Sequence, residues 1–322
     1  MTSISMLVFV STCATSFAQT GDLFVSFHDT DTVSLYSSIT GGLLNATFAS
    51  VSSPTGLTVG PDQTLYVGSD SLSAIQGAGI ADMTINGTSA GPINTFVDHA
   101  TDNNLNNPRG LAVVGSTLYA ADLTSGNVLA YDSPGTPGTA IPNGSIGIAS
   151  GLSASGGNLY IADINNGNVL RYDGVNVTQV NTVDNVFISA QDVAVGHDGN
   201  LYVLNPSQGI YQLNLATGTA TKIVDYSTSF FEATALTVGP DGKLYVAGQD
   251  ADAEGGVFQY NTDGTGGGIF ADTGLETMPD AVAFGTPEPS TWSLAVLGIS
   301  LIVFSKWRSA KQSLNHKALS QP

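Results

Sequence analysis

Three short runs stand close together in the middle of the chain. They are Gly151-Leu152-Ser153-Ala154, Gly157-Asn158-Leu159-Tyr160-Ile161-Ala162-Asp163 and Gly167-Asn168-Val169-Leu170-Arg171-Tyr172-Asp173. Within them apolar residues alternate with small or polar ones, the period of a strand with two distinct faces. Gly156-Gly157 separates the first two runs, and glycine accepts the positive φ that tight hairpin turns need. The unit therefore reads as a meander of short antiparallel strands.

The same unit recurs through the chain. The second run reappears as Leu23-Phe24-Val25, Leu65-Tyr66-Val67, Leu118-Tyr119-Ala120, Leu201-Tyr202-Val203 and Leu244-Tyr245-Val246. Its aromatic positions are spaced by 42, 53, 41, 42 and 43 residues, and the long interval holds an insertion in 79–107. First runs precede four of these: Gly56-Leu57-Thr58-Val59, Gly110-Leu111-Ala112-Val113, Asp192-Val193-Ala194-Val195 and Ala235-Leu236-Thr237-Val238. Third runs such as Val257-Phe258-Gln259-Tyr260 follow, with a weaker fourth, for example Thr219–Val224. Four strands in about 42 residues is the size of one β-propeller blade. The first unit lacks its first run, and the missing piece stands at the far end as Pro279-Asp280-Ala281-Val282-Ala283-Phe284. The expected fold is all-β: a six-bladed β-propeller over 19–285, closed by its C-terminal strand, which removes sheet edges.

These residues resemble NHL-type repeats and the wider gluconolactonase-like six-bladed propellers. The carrying motifs are Pro108-Arg109-Gly110-Leu111-Ala112-Val113 with Leu118-Tyr119-Ala120-Ala121-Asp122, together with the runs quoted first. The resemblance speaks to fold rather than activity, because one fold hosts many functions.

Composition narrows the function. The 322 residues carry 26 acids and 8 bases, a net charge of −18. Within 19–285 only Arg109, Arg171, Lys222 and Lys243 are basic, against 25 acids, a net −21. A nucleic-acid binder needs cations to displace counterions, so nucleic acid is excluded as a partner. Cys13 is the single cysteine, so a disulfide scaffold is excluded.

Both ends read as addresses. An apolar run at Ile4–Val10 precedes Ser16-Phe17-Ala18, which puts small residues where signal peptidase reads them, so 1–18 is expected to be a signal peptide. A lipid-anchored variant would use Cys13. At the other end Pro287-Glu288-Pro289 lies in a 286–291 linker. An apolar segment over 292–305 follows, then a basic tail over 306–322 that opens with Lys306 and Arg308. Trp292 and Trp307 suit membrane interfaces, and bases after the span suit a cytoplasmic end. This order resembles the PEP-CTERM sorting signal of Gram-negative bacteria. The resemblance implies a transmembrane sorting helix, an exosortase-type processing enzyme as partner, and release to the cell surface or extracellular matrix. An ordinary C-terminal membrane anchor is the alternative.

In a meander, the start of the first strand and the turn after the second share a face. Residues at the first-strand starts should ring the channel mouth: Thr55, Arg109, Ser150, Gln191, Thr234 and Asp280, with Asp192 in place of a glycine. Lactonases that resemble this fold hold a divalent metal in the channel with Glu, Asn and Asp. The ring here has no Glu or Asn, so those ligands do not carry over. His28 reads as a loop residue on the channel face, and His197 as a turn residue on the opposite one. Asp122 and Asp163 read as caps of their own turns. Alternate carboxylates at Asp250, Asp252 and Glu254 resemble the opening of a Ca2+ loop, with a solvated acidic loop as the plainer account. The leading expectation is a non-enzymatic binding module, with an extracellular polymer or another ligand at its face. The alternative is a divalent-metal-dependent lactonase or lyase that uses Asp280 and Asp192.

Overall fold

The computed structural model describes residues 21–72, 77–142, 146–181, 189–226, 230–275 and 277–285. They form six antiparallel sheets, five with four strands and one with five. These are the six blades expected from the repeat, numbered I to VI from the N-terminus. The expected signal peptide, Pro-Glu-Pro motif, transmembrane segment and basic tail lie outside the described residues. Among the described residues no helix is long and apolar enough to cross a membrane.

Ring closure is explicit. Strand Ala281–Phe284 is the innermost strand of blade I and pairs with Leu23–Phe27 in the register Leu23↔Phe284, Phe24↔Ala283, Val25↔Val282 and Ser26↔Ala281. Ser26 reinforces the joint, since its hydroxyl accepts from the Ala281 amide at 3.1 Å and its carbonyl from the Asp280 amide at 2.9 Å.

The recurring Leu-Tyr-Val run has a packing reason. Successive strand residues point to opposite faces, and each blade face meets a different neighbour. Leu201 and Val203 pack into a cluster with blade IV residues Tyr160 and Val169, while Tyr202 and Leu204 pack with blade VI residues Leu236 and Val246. Leu244 and Val246 likewise face blade V, while Tyr245 and Ala247 face blade I. The six apolar clusters of the body thus sit one at each blade interface. At the interface that closes the ring, Tyr245 meets Phe284 edge to face, with centroids 4.8 Å apart.

The insertion belongs to blade II. It lengthens the third strand to Gly77–Asn86, adds the short strand Ser89–Ala90, and places the outer strand at Asn94–Asp98. The chain then returns through 99–107, where buried Asp102 accepts from the Tyr131 hydroxyl at 2.9 Å and the Gly138 amide at 2.8 Å. A buried carboxylate needs such partners to stay in place.

Candidate functional site

The innermost strands of the six blades surround a central cavity of about 290 Å³. All seven residues expected at the channel mouth line it: Thr55, Arg109, Ser150, Gln191, Asp192, Thr234 and Asp280. The strands crowd together there. A side chain at Gly56 would run into the Arg109 carbonyl, and one at Gly110 into the Ser150 carbonyl. Glycine is used where two backbones approach this closely.

Most of the ring residues hold neighbouring blades together. The Thr55 hydroxyl donates to the Pro108 carbonyl at 2.6 Å, joining blades II and III. The Gln191 side-chain amide donates to the Thr234 carbonyl at 2.9 Å, joining V and VI. The Thr234 hydroxyl donates to the Pro279 carbonyl at 2.6 Å, joining VI to the closing strand of I. Asp192 accepts from its neighbour Val193 and from Leu236 of blade VI, both at 2.8 Å. Ser150 is buried, with its carbonyl against Gly110.

Two carboxyls here are perturbed. Burial pushes Asp192 up to about 7, against the lowering influence of the Leu236 and Val193 amides and the Arg109 charge. Burial also raises Asp280, opposed by the His28 amide and by the charges of His28 and Arg109. A carboxyl in poor solvent favours its neutral form unless opposite charges compensate.

Beside this cavity a second one of about 230 Å³ opens between blades I, II and III, lined by His28, Thr55, Asp70, Asn107, Arg109 and Asp280. His28 is not a bystander of the loop. Its amide donates to Asp280 Oδ2 at 2.8 Å, and its ring stands 3.4 Å from Asp70 and 3.5 Å from Asp29. Burial opposes charge on the ring, but the hydrogen bonds to Asp70 and Asp29 and the charges of Asp70 and Asp280 prevail and raise its pKa. Asn107, carried by the blade II insertion, has a buried Oδ1 without a hydrogen-bond partner.

Arg109 is half-buried where the two cavities meet. Lys222 pairs with Asp225, and Lys243 with Asp241 and Gln259. The Arg109 guanidinium has no such ion pair or hydrogen bond among the described residues.

Other carboxylates flagged by the sequence are structural. Asp163 accepts from the amides of Asn165 and Asn166 in its own turn and from those of Gly147 and Ile148, which lead into the innermost strand of its blade. Asp122 does the same with Ser125, Asn106 and Asn107. The capping expectation was thus too narrow, because each carboxylate also ties a second segment to its turn. Asp250 accepts from the amides of Asp252 and Glu254 at 2.9 and 3.0 Å, as a loop cap does. Among the described residues no three His, Cys, Asp or Glu side chains come together as metal ligands. Asp250, Asp252 and Glu254 therefore do not converge on one point as a set of carboxylate ligands. His197 lies in the turn between strands Asp192–Val195 and Leu201–Asn205, in a groove with Tyr160 and Leu215.

No family model and no curated protein matches the sequence. Solved structures do match the fold. One chain of a nidogen/laminin complex superposes with a TM-score of 0.65 at 15% identity, over 83% of this chain and 99% of that one. A protein of Bacteroides fragilis, provisionally assigned as a 6-phosphogluconolactonase, gives 0.57 at 16% identity, over 84% and 99%. The virginiamycin B lyase of Staphylococcus aureus gives 0.50 at 14% identity, over 71% and 73%. Identities this low establish the shared propeller fold alone.

Proposed function

We propose that this chain is an exported, surface-sorted propeller that acts as a non-enzymatic binding module through its channel mouth. The observation that carries the binding role is Arg109. Its guanidinium is half-removed from water and interacts with Asp192 and Asp280 through charge alone, without a hydrogen bond or close ion pair among the described residues, so its N–H donors are left for an anionic ligand. The other ring polar groups hold blades together, which leaves Arg109 and its pocket neighbours to meet a ligand. Export and sorting rest on the sequence: the leader at 1–18, and the order Pro287-Glu288-Pro289, apolar segment, Lys306 and Arg308. An exosortase-type enzyme is the processing partner this reading requires.

The metal-dependent lactonase or lyase reading needs several oxygen ligands around one cation. The channel instead brings Asp192 and Asp280 together with a guanidinium, which repels a cation. The geometry therefore favours binding over metal-assisted hydrolysis.

Two readouts test the proposal. Cells producing the full chain or one lacking 286–322 are fractionated, and the mass and location of the product are followed. The full chain is expected at the surface or in the medium with reduced mass, and the shortened chain unprocessed. Labelled protein is then applied to cells that lack it, as wild type and as Arg109→Gln. A full chain that keeps the mass of residues 286–322 and shares the shortened chain's location would remove the sorting idea, and equal labelling by wild type and variant would remove attachment to cells through Arg109.

A further inference from the structure

We infer that the mouth pocket between blades I, II and III binds a small zwitterion, a molecule with one carboxylate and one ammonium group such as a free α-amino acid. This rests on the binding-module reading and names its ligand class.

Four groups in the pocket are left uncommitted by the protein. The first is the Arg109 guanidinium, a planar multiple donor that suits a carboxylate in two-point contact. The other three are acceptors. Asp280 uses Oδ2 for the His28 amide, and Asp70 uses Oδ2 for the His28 ring, so each keeps Oδ1 unused. Asn107 Oδ1 is buried with no partner. A buried acceptor without a donor is costly, and a ligand that supplies the donor removes that cost. An ammonium group has three N–H donors, one for each acceptor. The complement of this pocket is therefore an anion at Arg109 and a cationic triple donor toward Asp70, Asp280 and Asn107.

Size agrees with this assignment. The pocket holds about 230 Å³, the liquid volume of roughly seven or eight waters at about 30 Å³ each. That is room for a small molecule, not for a strand of polymer. His28 completes the arrangement by anchoring both carboxylates, one through its amide and one through its ring. The pocket is composite: Asp280 and His28 come from blade I, Asp70 from blade II, Asn107 from the blade II insertion, and Arg109 from blade III. Its shape thus depends on the closed ring.

The test is calorimetric titration of the full-chain protein with glycine, alanine, glutamate and lysine, and with the amine-free analogues glycolate and lactate. At least one amino acid is expected to bind with millimolar affinity or better, and its amine-free analogue about tenfold more weakly. Arg109→Gln and Asp280→Asn are expected to lose binding, while Asp62→Asn, outside the pocket, keeps it. Arg109→Lys, which preserves the charge, guards against a folding artefact and should bind with reduced affinity. Glycolate binding as well as glycine, unchanged binding by Arg109→Gln, or no amino-acid binding at all overturns the assignment. If amino acids fail while Arg109-dependent labelling of cells persists, only the ligand class is wrong. If both fail, the binding-module reading falls too.

Discussion

The carboxylate of Asp192, on the innermost strand of blade V, accepts a hydrogen bond at 2.8 Å from the amide of Leu236, on the innermost strand of blade VI. One ionisable side chain thereby joins two blades across the channel wall. Burial holds its pKa near 7. In the native state the group keeps its proton over a range where the unfolded chain has lost it. Stability from this group therefore falls as pH rises from the ordinary carboxylate range to about 7, and is level above that. Asp192→Asn should lack this slope. Urea midpoints measured from pH 4 to 9 should show the variant gaining on wild type up to about 7 and keeping a constant difference beyond. A difference independent of pH would show that Asp192 titrates normally.

His28 should titrate above the ordinary histidine value: burial lowers it, but the hydrogen bonds to Asp70 and Asp29 and the charges of Asp70 and Asp280 together outweigh burial. Its favourable contribution is full below the ordinary value and is lost as pH rises through the raised one. An NMR titration of the His28 ring reads this directly. In Asp70→Asn the midpoint should drop, since burial is then opposed mainly by Asp29 and Asp280. An unshifted midpoint in the variant would separate His28 from Asp70.

Asp163 is fully buried and accepts from four backbone amides in two segments. Asp163→Ala strands several of these donors and should destabilise the fold by about 3 kcal/mol or more. Asp173→Ala removes a turn cap that is open to solvent and should change stability far less. Chemical denaturation of both variants makes the comparison, and equal losses would contradict the two-segment role.

Removal of the strand Ala281–Phe284 should leave Leu23–Phe27 with an open edge. Exposed edges pair with other chains. A chain ending at Pro279 should therefore elute as oligomers from size-exclusion chromatography. A synthetic peptide spanning 278–285, added in trans, should restore the monomer. A truncated chain that stays monomeric with the parental spectrum would show that blade I stands without its fourth strand.

The blades were legible because two periods coincide in the sequence. The alternation in Leu201-Tyr202-Val203-Leu204 reports one blade interface on each strand face, and the spacing of about 42 reports the blade. The ring positions were legible from their place before the first-strand glycine. Their division of labour was not. Thr55, Gln191 and Thr234 look like binding groups in sequence, yet each bonds the next blade, a fact that depends on how closely the innermost strands approach. His28 and Asp70 fall on the channel face by the meander rule. Nothing local shows that blades I and II turn them toward one another. Asn107 was hidden for a third reason: it closes the insertion, and its equivalent beside Asp163 is the apolar Ile148, so the repeat signals no polar group there.

The joint between Ser26 and Ala281 links residues 255 positions apart. It also orders the life of the molecule in time. While the chain is being synthesised, the strand Leu23–Phe27 must wait for the strand Ala281–Phe284. Blades II to VI can assemble on local contacts, but the ring stays open until residues 281–284 have emerged. A product that stops anywhere before them carries a sheet edge that a finished product hides. The closed ring thus distinguishes a complete propeller from one that stops short of residue 281.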